Sequence, residues 1–335
     1  MKKILAASLF VLAFSGRPAC PADKIAIGLA MPTMQEERWV RDLRVMQAEG
    51  AKLGIEIRSA VARTNQEQQN SQVDSMLNQG IQALIIAPHD GKTAAAAVAA
   101  ARAKGVPVIS YDRLVLDAEV DVYISFDNVK VGQLQGEWLT RKAPTGTYAV
   151  LSGSPTDNNA KLFRAGAMEF IQPLADKGAI RIVMDQPVPD WRPDNAQRLI
   201  EKALGDAGGK IDAILAPNDG TAGGAVSALE AVGLAGKVPV TGQDSDLAAV
   251  RRILRGHQGM TVFKDTRRLG EAAVQIALKL ARKQSVADEI KGRGIDNGRL
   301  AVPAILLEPV AVDADNLEKV LVESGYIKQA DLQEK

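Results

Sequence analysis

The chain has 335 residues, of which 41 are Lys or Arg and 40 are Asp or Glu. A chain of this length has room for two domains of ~150 residues. The near balance of charge, without a basic stripe, argues against nucleic acid as a partner. Aromatic residues make up only 4% of the chain, so the positions of its three tryptophans are informative.

The first 22 residues have the three-part pattern of an export signal. Lys2-Lys3 precede an apolar run from Ile4 to Phe14, which is shorter than the ~20 residues that a membrane-spanning helix needs. Cys20-Pro21-Ala22 then forms a small–x–Ala cleavage site. We therefore predict cleavage after Ala22 and a periplasmic protein. The alternative is a lipid anchor on Cys20, which the preceding Arg17-Pro18-Ala19 does not favour because such sites prefer an apolar residue three positions before the cysteine.

Cleavage after Ala22 would remove the only cysteine and three of the 41 basic residues, Lys2, Lys3 and Arg17. An exported chain without cysteine depends on its apolar core for stability, and a chain of this length can bury a large one. A catalytic thiol is thereby excluded.

Apolar, β-branched runs alternate with helical patterns along most of the chain. This alternation is typical of parallel sheets covered on both faces, and the fold class we predict is α/β with two doubly wound parallel-sheet lobes. The predicted strands are residues 24–30, 55–60, 83–87, 106–110, 121–126, 147–151, 180–185, 213–216, 238–241, 260–263 and a strand-like run at 300–309. The predicted helices are residues 36–53, 66–79, 93–103, 129–142, 160–177, 194–207, 221–232, 247–255, 267–282 and a capped helix at 313–324.

One pattern occurs twice, as residues 83–113 and again as residues 213–245. Each copy has an apolar run closed by Pro and Asp-Gly, a helical stretch, and a second β-rich run that leads to an aspartate, Asp112 or Asp244. Solenoid modules recur every ~20–50 residues, so this longer repeat indicates two similar lobes. Each lobe offers an aspartate at the carboxyl end of an equivalent strand, which predicts a polar ligand bound between them.

Ligands of open α/β sheets bind beyond the carboxyl ends of the strands. Asp112-Arg113 and Asp244 are the strongest candidates there, because a carboxylate accepts two neighbouring hydroxyl groups and a guanidinium donates in a fixed fork. The alternative is a surface turn or an ion pair between the lobes. The segments that this rule selects are residues 32–39, 88–91, 111–113, 127–128, 152–159, 191, 217–219, 243–246 and 264.

Trp39 and Trp191 each lie beside an arginine in a predicted loop or helix start. An indole face can cover the apolar C–H face of a sugar ring. The alternative is an ordinary core tryptophan, which we expect for Trp138 in the middle of a helix.

Signals for catalysis, cofactors or metals are weak. His89 and His257 are far apart in sequence, and neither G-x-S-x-G nor H-E-x-x-H occurs. Ala222-Gly223-Gly224 opens a helix but is not a phosphate-binding loop, and Asp313-Ala314-Asp315 lacks the spacing of a calcium loop. We predict that the protein is not an enzyme and holds no cofactor or metal.

Several longer motifs are more specific: Glu37-Arg38-Trp39, Tyr111-Asp112-Arg113, the run from Tyr123 to Asn128, the long run from Gly153 to Gly166, the segments 218–224 and 242–244, and Thr261-Val262-Phe263-Lys264. Through these motifs the chain resembles the periplasmic sugar-binding proteins of ABC importers, of the type I periplasmic binding protein class, and within them the branch that binds D-xylose. The resemblance covers essentially the whole mature chain.

This resemblance implies a monosaccharide, D-xylose, stacked between Trp39 and Trp191. It implies polar contacts from Arg38, Asp112, Arg113, Asn128, Asn218, Asp244 and Lys264. It also implies a monomer that closes around the sugar and delivers it to the membrane permease of an ABC transporter. The alternatives are a sensing partner of a chemoreceptor or sensor kinase, and a related sugar such as glucose.

The family further implies three hinge crossings, which we place near Asn128, Lys264 and Leu300. The expected first lobe is residues 23–127 plus 265–299, and the expected second lobe is residues 128–264 plus 300–335.

Overall fold

The computed structural model describes residues 24–290, 292 and 294–333, so the predicted export signal at residues 1–22 lies outside the described residues. The strands are β1 Ala26–Met31, β2 Glu56–Val61, β3 Ala83–Ile86, β4 Val108–Tyr111, β5 Val122–Phe126, β6 Gly146–Leu151, β7 Ile180–Gln186, β8 Ala213–Leu215, β9 Met260–Phe263, β10 Gly294–Asp296, β11 Ala301–Leu307 and β12 Val310–Asp313. The α-helices are α1 Glu37–Lys52, α2 Gln66–Asn78, α3 Ala95–Ala103, α4 Asn128–Lys142, α5 Asn158–Asp176, α6 Pro193–Asp206, α7 Asp219–Ala231, α8 Leu247–Leu254, α9 Thr266–Ala281, α10 Ala287–Ile290 and α11 Gln329–Leu332. None of the helices in the described part of the chain is long and apolar enough to cross a bilayer.

The first lobe is built on a seven-stranded sheet in the order β10-β11-β5-β4-β3-β1-β2. Its neighbouring strands are parallel except β10 and β11. Helices α1 and α9 cover one face, and α2 and α3 cover the other. Strands β1, β3, β4 and β5 are therefore buried along their whole length, which explains their continuous apolar sequences.

The second lobe is built on a parallel sheet in the order β7-β6-β8. The sheet continues through an irregular segment, where Val240 forms a bridge with Ile214 and Gly242 O accepts a hydrogen bond from Val262 N–H at 3.0 Å. This bridge is all that remains of the strand predicted at 238–241. Antiparallel β9 and β12 complete the lobe. The predicted α/β class with two parallel-sheet lobes is confirmed.

The chain passes between the two sheets three times, after β5, after β9 and after β11. The third crossing differs from the one predicted near Leu300, and that boundary is wrong. Strand β11 pairs in parallel with β5 of the first lobe, with Leu307 opposite Phe126, because its apolar side chains complete the first core. Only β12 joins β9 of the second lobe, so the first lobe extends through β11.

The helix predicted at 313–324 is also wrong in extent. Asp313 ends β12, where it pairs with Met260, and its side chain accepts a hydrogen bond from Trp138 Nε1 at 3.0 Å. The Asp313 N–H donates to Asn316 Oδ1 at 3.0 Å, which closes a turn. One π-helical turn, Glu318–Val322, follows this turn.

Helices α4 and α5 of the second lobe touch at glycines. A Cβ atom on Gly132 would lie 1.9 Å from Phe163 O, and one on Gly166 would lie 2.1 Å from Val129 O. Only glycine permits this close approach of two backbones. The contact fixes α4, which starts at the first crossing, against α5, which starts at the cleft.

We predict that Gly132→Ala destabilises the protein by about 3 kcal/mol, the upper end of the usual cost of overpacking, because the obstructing atoms are backbone atoms that cannot rotate away. Gly205→Ala in α6 is the control, since a Cβ atom there would meet no described heavy atom within 4 Å apart from its chain neighbours and its own helix backbone. Alanine at that position should be neutral or stabilising by up to ~1 kcal/mol. Urea unfolding measures both, and equal free energies of unfolding for the two variants would contradict the prediction.

Candidate functional site

The two aspartates of the sequence repeat have the same backbone geometry. Asp112 and Asp244 both adopt the left-handed region, with φ of 58° and 97°, which aspartate tolerates better than most residues. Their N–H groups donate to Ile124 O at 2.7 Å and Val262 O at 2.9 Å. These bonds to the neighbouring strand turn each aspartate away from its sheet and into the cleft.

Arg38 of α1 connects the aspartates of the two lobes. Its Nη1 atom lies 2.6 Å from Asp112 Oδ2 and 3.8 Å from Asp244 Oδ1. Lys264, at the second crossing, lies 3.0 Å from Asp244 Oδ1 and 3.9 Å from Asp112 Oδ2. All four side chains are buried, so the structure brings these predicted site residues into one charge cluster shared by both lobes.

Asp42 fixes the orientation of the Arg38 side chain by a hydrogen bond. Its Oδ2 atom accepts a hydrogen bond from Arg38 Nε at 3.0 Å, and its Oδ1 atom accepts one from the Tyr111 hydroxyl. Burial alone would lower the pKa of Arg38, but Asp112, Asp42 and Asp244 raise it well above its ordinary value. Burial alone would raise the pKa of Asp112, yet Arg38 and Lys264 hold it below its usual value. Asp112 is therefore an acceptor of hydrogen bonds and not a proton donor.

Arg113 forms a second ion pair between the lobes. Its Nε atom lies 2.8 Å from Oδ2 of Asp157 in the second lobe. Burial raises the pKa of Asp157, and Arg113 opposes that shift. The predicted forked donor is thus oriented in the cleft by a carboxylate that the sequence did not single out.

Trp39 and Trp191 approach the cleft from opposite lobes, and both are buried. The Trp39 ring lies 4.4 Å from the Arg38 guanidinium carbon and 5.2 Å from that of Arg113. The Trp191 ring packs edge-on against Phe163, with centroids 6.3 Å apart. Its backbone has a φ of 58°, a strained conformation of the kind that is common at ligand sites.

A cavity lies between the two lobes, and its lining comes from both of them. The lining residues are Glu36, Arg38, Trp39, Asp112, Arg113, Asp157, Asn159, Phe163, Trp191, Asn218, Gln243, Asp244 and Lys264. Five buried polar atoms of this lining have neither a hydrogen-bond partner nor an ion-pair partner within the described part of the chain: Glu36 Oε2, Arg38 Nη2, Trp39 Nε1, Trp191 Nε1 and Gln243 Oε1. Because a buried unpaired polar group costs ~1–3 kcal/mol, the cavity favours a ligand with several hydroxyl groups.

Eight of the nine predicted ligand contacts line this cavity. The ninth, Asn128, is not among the lining residues. Its Nδ2 atom donates to Asn159 Oδ1 at 3.0 Å and to the Tyr123 hydroxyl at 3.1 Å. Tyr123 and Asn159 in turn donate to the backbone oxygen of Asp112 at 2.8 Å and 3.0 Å. Asn128 therefore supports the cleft at the first crossing, where it helps fix the position of Asp112.

The sequence-based selection missed five lining residues. Glu36, Asp157, Asn159 and Gln243 fall within segments that the strand-end rule had selected, so that rule could have found them. Phe163 lies one turn inside α5, and its pattern resembles that of an ordinary core residue. Among the described residues, no group of three or more His, Cys, Asp and Glu side chains is arranged to hold a metal ion.

The sequence profile of the periplasmic binding protein domain matches residues 27–285. The chain belongs to this family of periplasmic binding proteins. It is 41% identical over 314 residues to the D-xylose-binding periplasmic protein of Escherichia coli, an alignment that covers 94% of each chain. It is 38% identical over 356 residues to the multiple sugar-binding periplasmic receptor of Rhizobium radiobacter, which covers 98% of this chain and 99% of the relative.

Among solved structures, a carbohydrate transporter solute-binding protein from Chloroflexus aurantiacus in complex with D-glucose superposes with a TM-score of 0.86. It is 35% identical, and the match covers 92% of this chain and 98% of the other. The resemblance inferred from the sequence motifs is thereby confirmed.

A buried carboxyl group, Asp219, lies behind Asp244 at the start of α7. Its two oxygens accept hydrogen bonds from Gln258 Nε2 at 2.8 Å and from the Thr261 hydroxyl at 3.0 Å. Burial raises the pKa of Asp219 to about 7, against the opposing effect of Arg252. This group thus holds a proton in the folded chain at pH values where it is ionised in the unfolded chain.

We predict that this proton makes the stability depend on pH. The folded pKa lies above the ordinary value of 3.8, so its contribution is present at low pH and is lost as the pH rises towards about 7. Between pH 5 and pH 7 the wild type should lose about 1–2 kcal/mol more stability than Asp219→Asn. Urea unfolding at several pH values checks this, and parallel pH profiles for the two proteins would contradict it.

Proposed function

We propose that this protein is the periplasmic solute-binding component of an ABC importer for a neutral monosaccharide, D-xylose. The observation that carries the proposal is the cavity between the lobes, with two indoles, a shared cluster of buried charges and several unpaired polar atoms. A sugar ring has apolar C–H faces for the indoles and a rim of hydroxyl groups for the polar atoms.

Binding couples to closure because the polar groups come from both lobes. Arg38 and Asp112 belong to the first lobe and Asp244 to the second, and the three crossings between the sheets supply the hinge. In this mechanism the sugar binds to one lobe, and rotation about the crossings brings the other lobe's groups onto it. The closed form is then the form that a membrane permease recognises.

The ligand assignment is supported by the relative from Escherichia coli, whose name specifies D-xylose. The structure from Chloroflexus aurantiacus contains D-glucose, so a hexose is the related sugar to compare. Export to the periplasm would follow from the signal pattern at residues 1–22.

We propose no catalytic step. Asp112 and Asp244, the pair that could act as two carboxyl groups of a glycosidase, are both engaged by Arg38 and Lys264. The low pKa of Asp112 leaves it without a proton to donate. Saturable D-xylose binding without hydrolysis of an aryl xyloside is the expected result, and turnover abolished by Asp112→Asn would overturn it.

A second candidate function uses the same cleft for sensing. The relative from Rhizobium radiobacter is named a receptor, and a closed binding protein can dock to a chemoreceptor or sensor kinase as well as to a permease. Neighbouring genes for a permease and an ATPase would favour import, whereas a neighbouring sensor kinase gene would favour sensing.

We predict that Asp244→Asn weakens D-xylose binding about 10- to 100-fold, because hydrogen bonds to a charged group are worth ~1.5–3 kcal/mol and Lys264 loses its partner at 3.0 Å. Asp206→Asn, at the exposed end of α6 in the same lobe, is the matched control and should bind like the wild type. Isothermal titration calorimetry measures both. Wild-type affinity in Asp244→Asn would exclude this carboxylate from the site.

We also predict that the tryptophan fluorescence change on adding D-xylose comes from Trp39 and Trp191. Trp138 packs away from the cavity over Gly259, where a Cβ would lie 2.0 Å from its ring. Trp138→Phe should therefore keep the change, and Trp191→Phe should lose a large part of it. A titration followed by emission intensity decides this; the change disappearing in Trp138→Phe would show that the indoles are misassigned.

A further inference from the structure

Glu36 has a carboxylate oxygen that the protein itself leaves unused. The residue lines the cavity, and its Oε2 atom is buried without a hydrogen-bond partner among the described residues. Burial raises the pKa of Glu36, although Arg113 acts in the opposite direction. An isolated buried acceptor of this kind is costly, so a donor group on a ligand would stabilise it.

The position of Glu36 in the chain strengthens this interpretation. It is the N-cap residue of α1, yet its side chain makes no capping hydrogen bond. An N-cap side chain that accepts a hydrogen bond from the first turn stabilises its helix. The N-caps of two other helices at the cleft, Asp157 and Asn218, do accept such bonds. The carboxylate of Glu36 therefore serves the cavity and not the helix.

Glu36 also sets the balance of charge in the lining. Three basic side chains, Arg38, Arg113 and Lys264, face the carboxyl groups of Asp112, Asp157 and Asp244 in equal number. Glu36 adds a fourth carboxyl group to this balanced set. Like charges at short range in a buried site repel strongly, so this residue favours neutral sugars over sugar acids.

We propose that Glu36 is a further specificity-determining residue of this site. It accepts a hydrogen bond from one hydroxyl of the bound sugar, and it disfavours sugars that carry a carboxylate. The inference rests on the proposed function and extends it from a monosaccharide in general to a neutral, fully hydroxylated one.

The test is calorimetry at pH 7.5 with wild type, Glu36→Ala, Glu36→Gln and the control Glu67→Gln, which lies on an exposed first turn of α2. The ligands are D-xylose, its monodeoxy analogues and D-glucuronate. Glu36→Ala should weaken D-xylose binding about tenfold. The wild type should bind one of the deoxy analogues about tenfold more weakly than D-xylose. Glu36→Ala should bind that same analogue and D-xylose with equal affinity.

Glu36→Gln keeps an acceptor oxygen and removes the charge, so it should retain part of the D-xylose affinity and bind D-glucuronate better than the wild type does. Glu67→Gln should match the wild type for every ligand. Thermal unfolding of each variant shows that the fold is kept.

Two failures are distinguishable. A wild type that binds no monosaccharide would overturn the proposed function, and this inference with it. The role of Glu36 alone would be overturned if the wild type binds sugars but Glu36→Ala loses as much affinity for each deoxy analogue as the wild type does. The same variant would then also bind D-glucuronate no better than the wild type.

Discussion

The structure depends on one constraint, the burial of two basic and two acidic side chains between the two lobes. Arg38 and Lys264 each lie within 3.9 Å of both Asp112 and Asp244, and all four side chains are nearly inaccessible to solvent. A buried ion is tolerable only when it is paired and its remaining hydrogen-bonding capacity is used. Because the partners come from different lobes, the cluster is complete only when the lobes approach each other. In the proposed mechanism, closure and the formation of the polar site are therefore one event.

The rest of the fold places these charges. Parallel strands end at one edge of each sheet, and the left-handed backbone at Asp112 and Asp244 turns both side chains out of that edge. Asp42 and the Tyr111 hydroxyl fix Arg38 from the first core. The Asn128 network fixes the backbone of Asp112 at the first crossing. Left-handed backbone and buried charge thus meet at the cleft.

The sequence predicted the fold class and most residues that line the candidate site because both depend on strong local patterns. Apolar runs with turn residues marked the strands, and the repeated Asp marked the two halves of the cleft. The third crossing was misplaced because an apolar run at 301–307 does not reveal which sheet it joins, and pairing with β5 is a long-range choice. The role of Asn128 as a ligand contact stays a prediction: its Nδ2 atom supports the site through Asn159, while its Oδ1 atom is buried without a hydrogen-bond partner among the described residues. Glu36 lay within a segment that the strand-end rule selected, but only the side-chain geometry shows that it lines the cavity and does not cap its helix.

The central claim is that a sugar bound between the lobes closes the hinge. Small-angle X-ray scattering of the mature protein, with and without saturating D-xylose, tests it directly. We expect the radius of gyration to fall when D-xylose is added, because the open lobes rotate towards each other. Saturable binding of D-xylose with an unchanged radius of gyration would contradict the account.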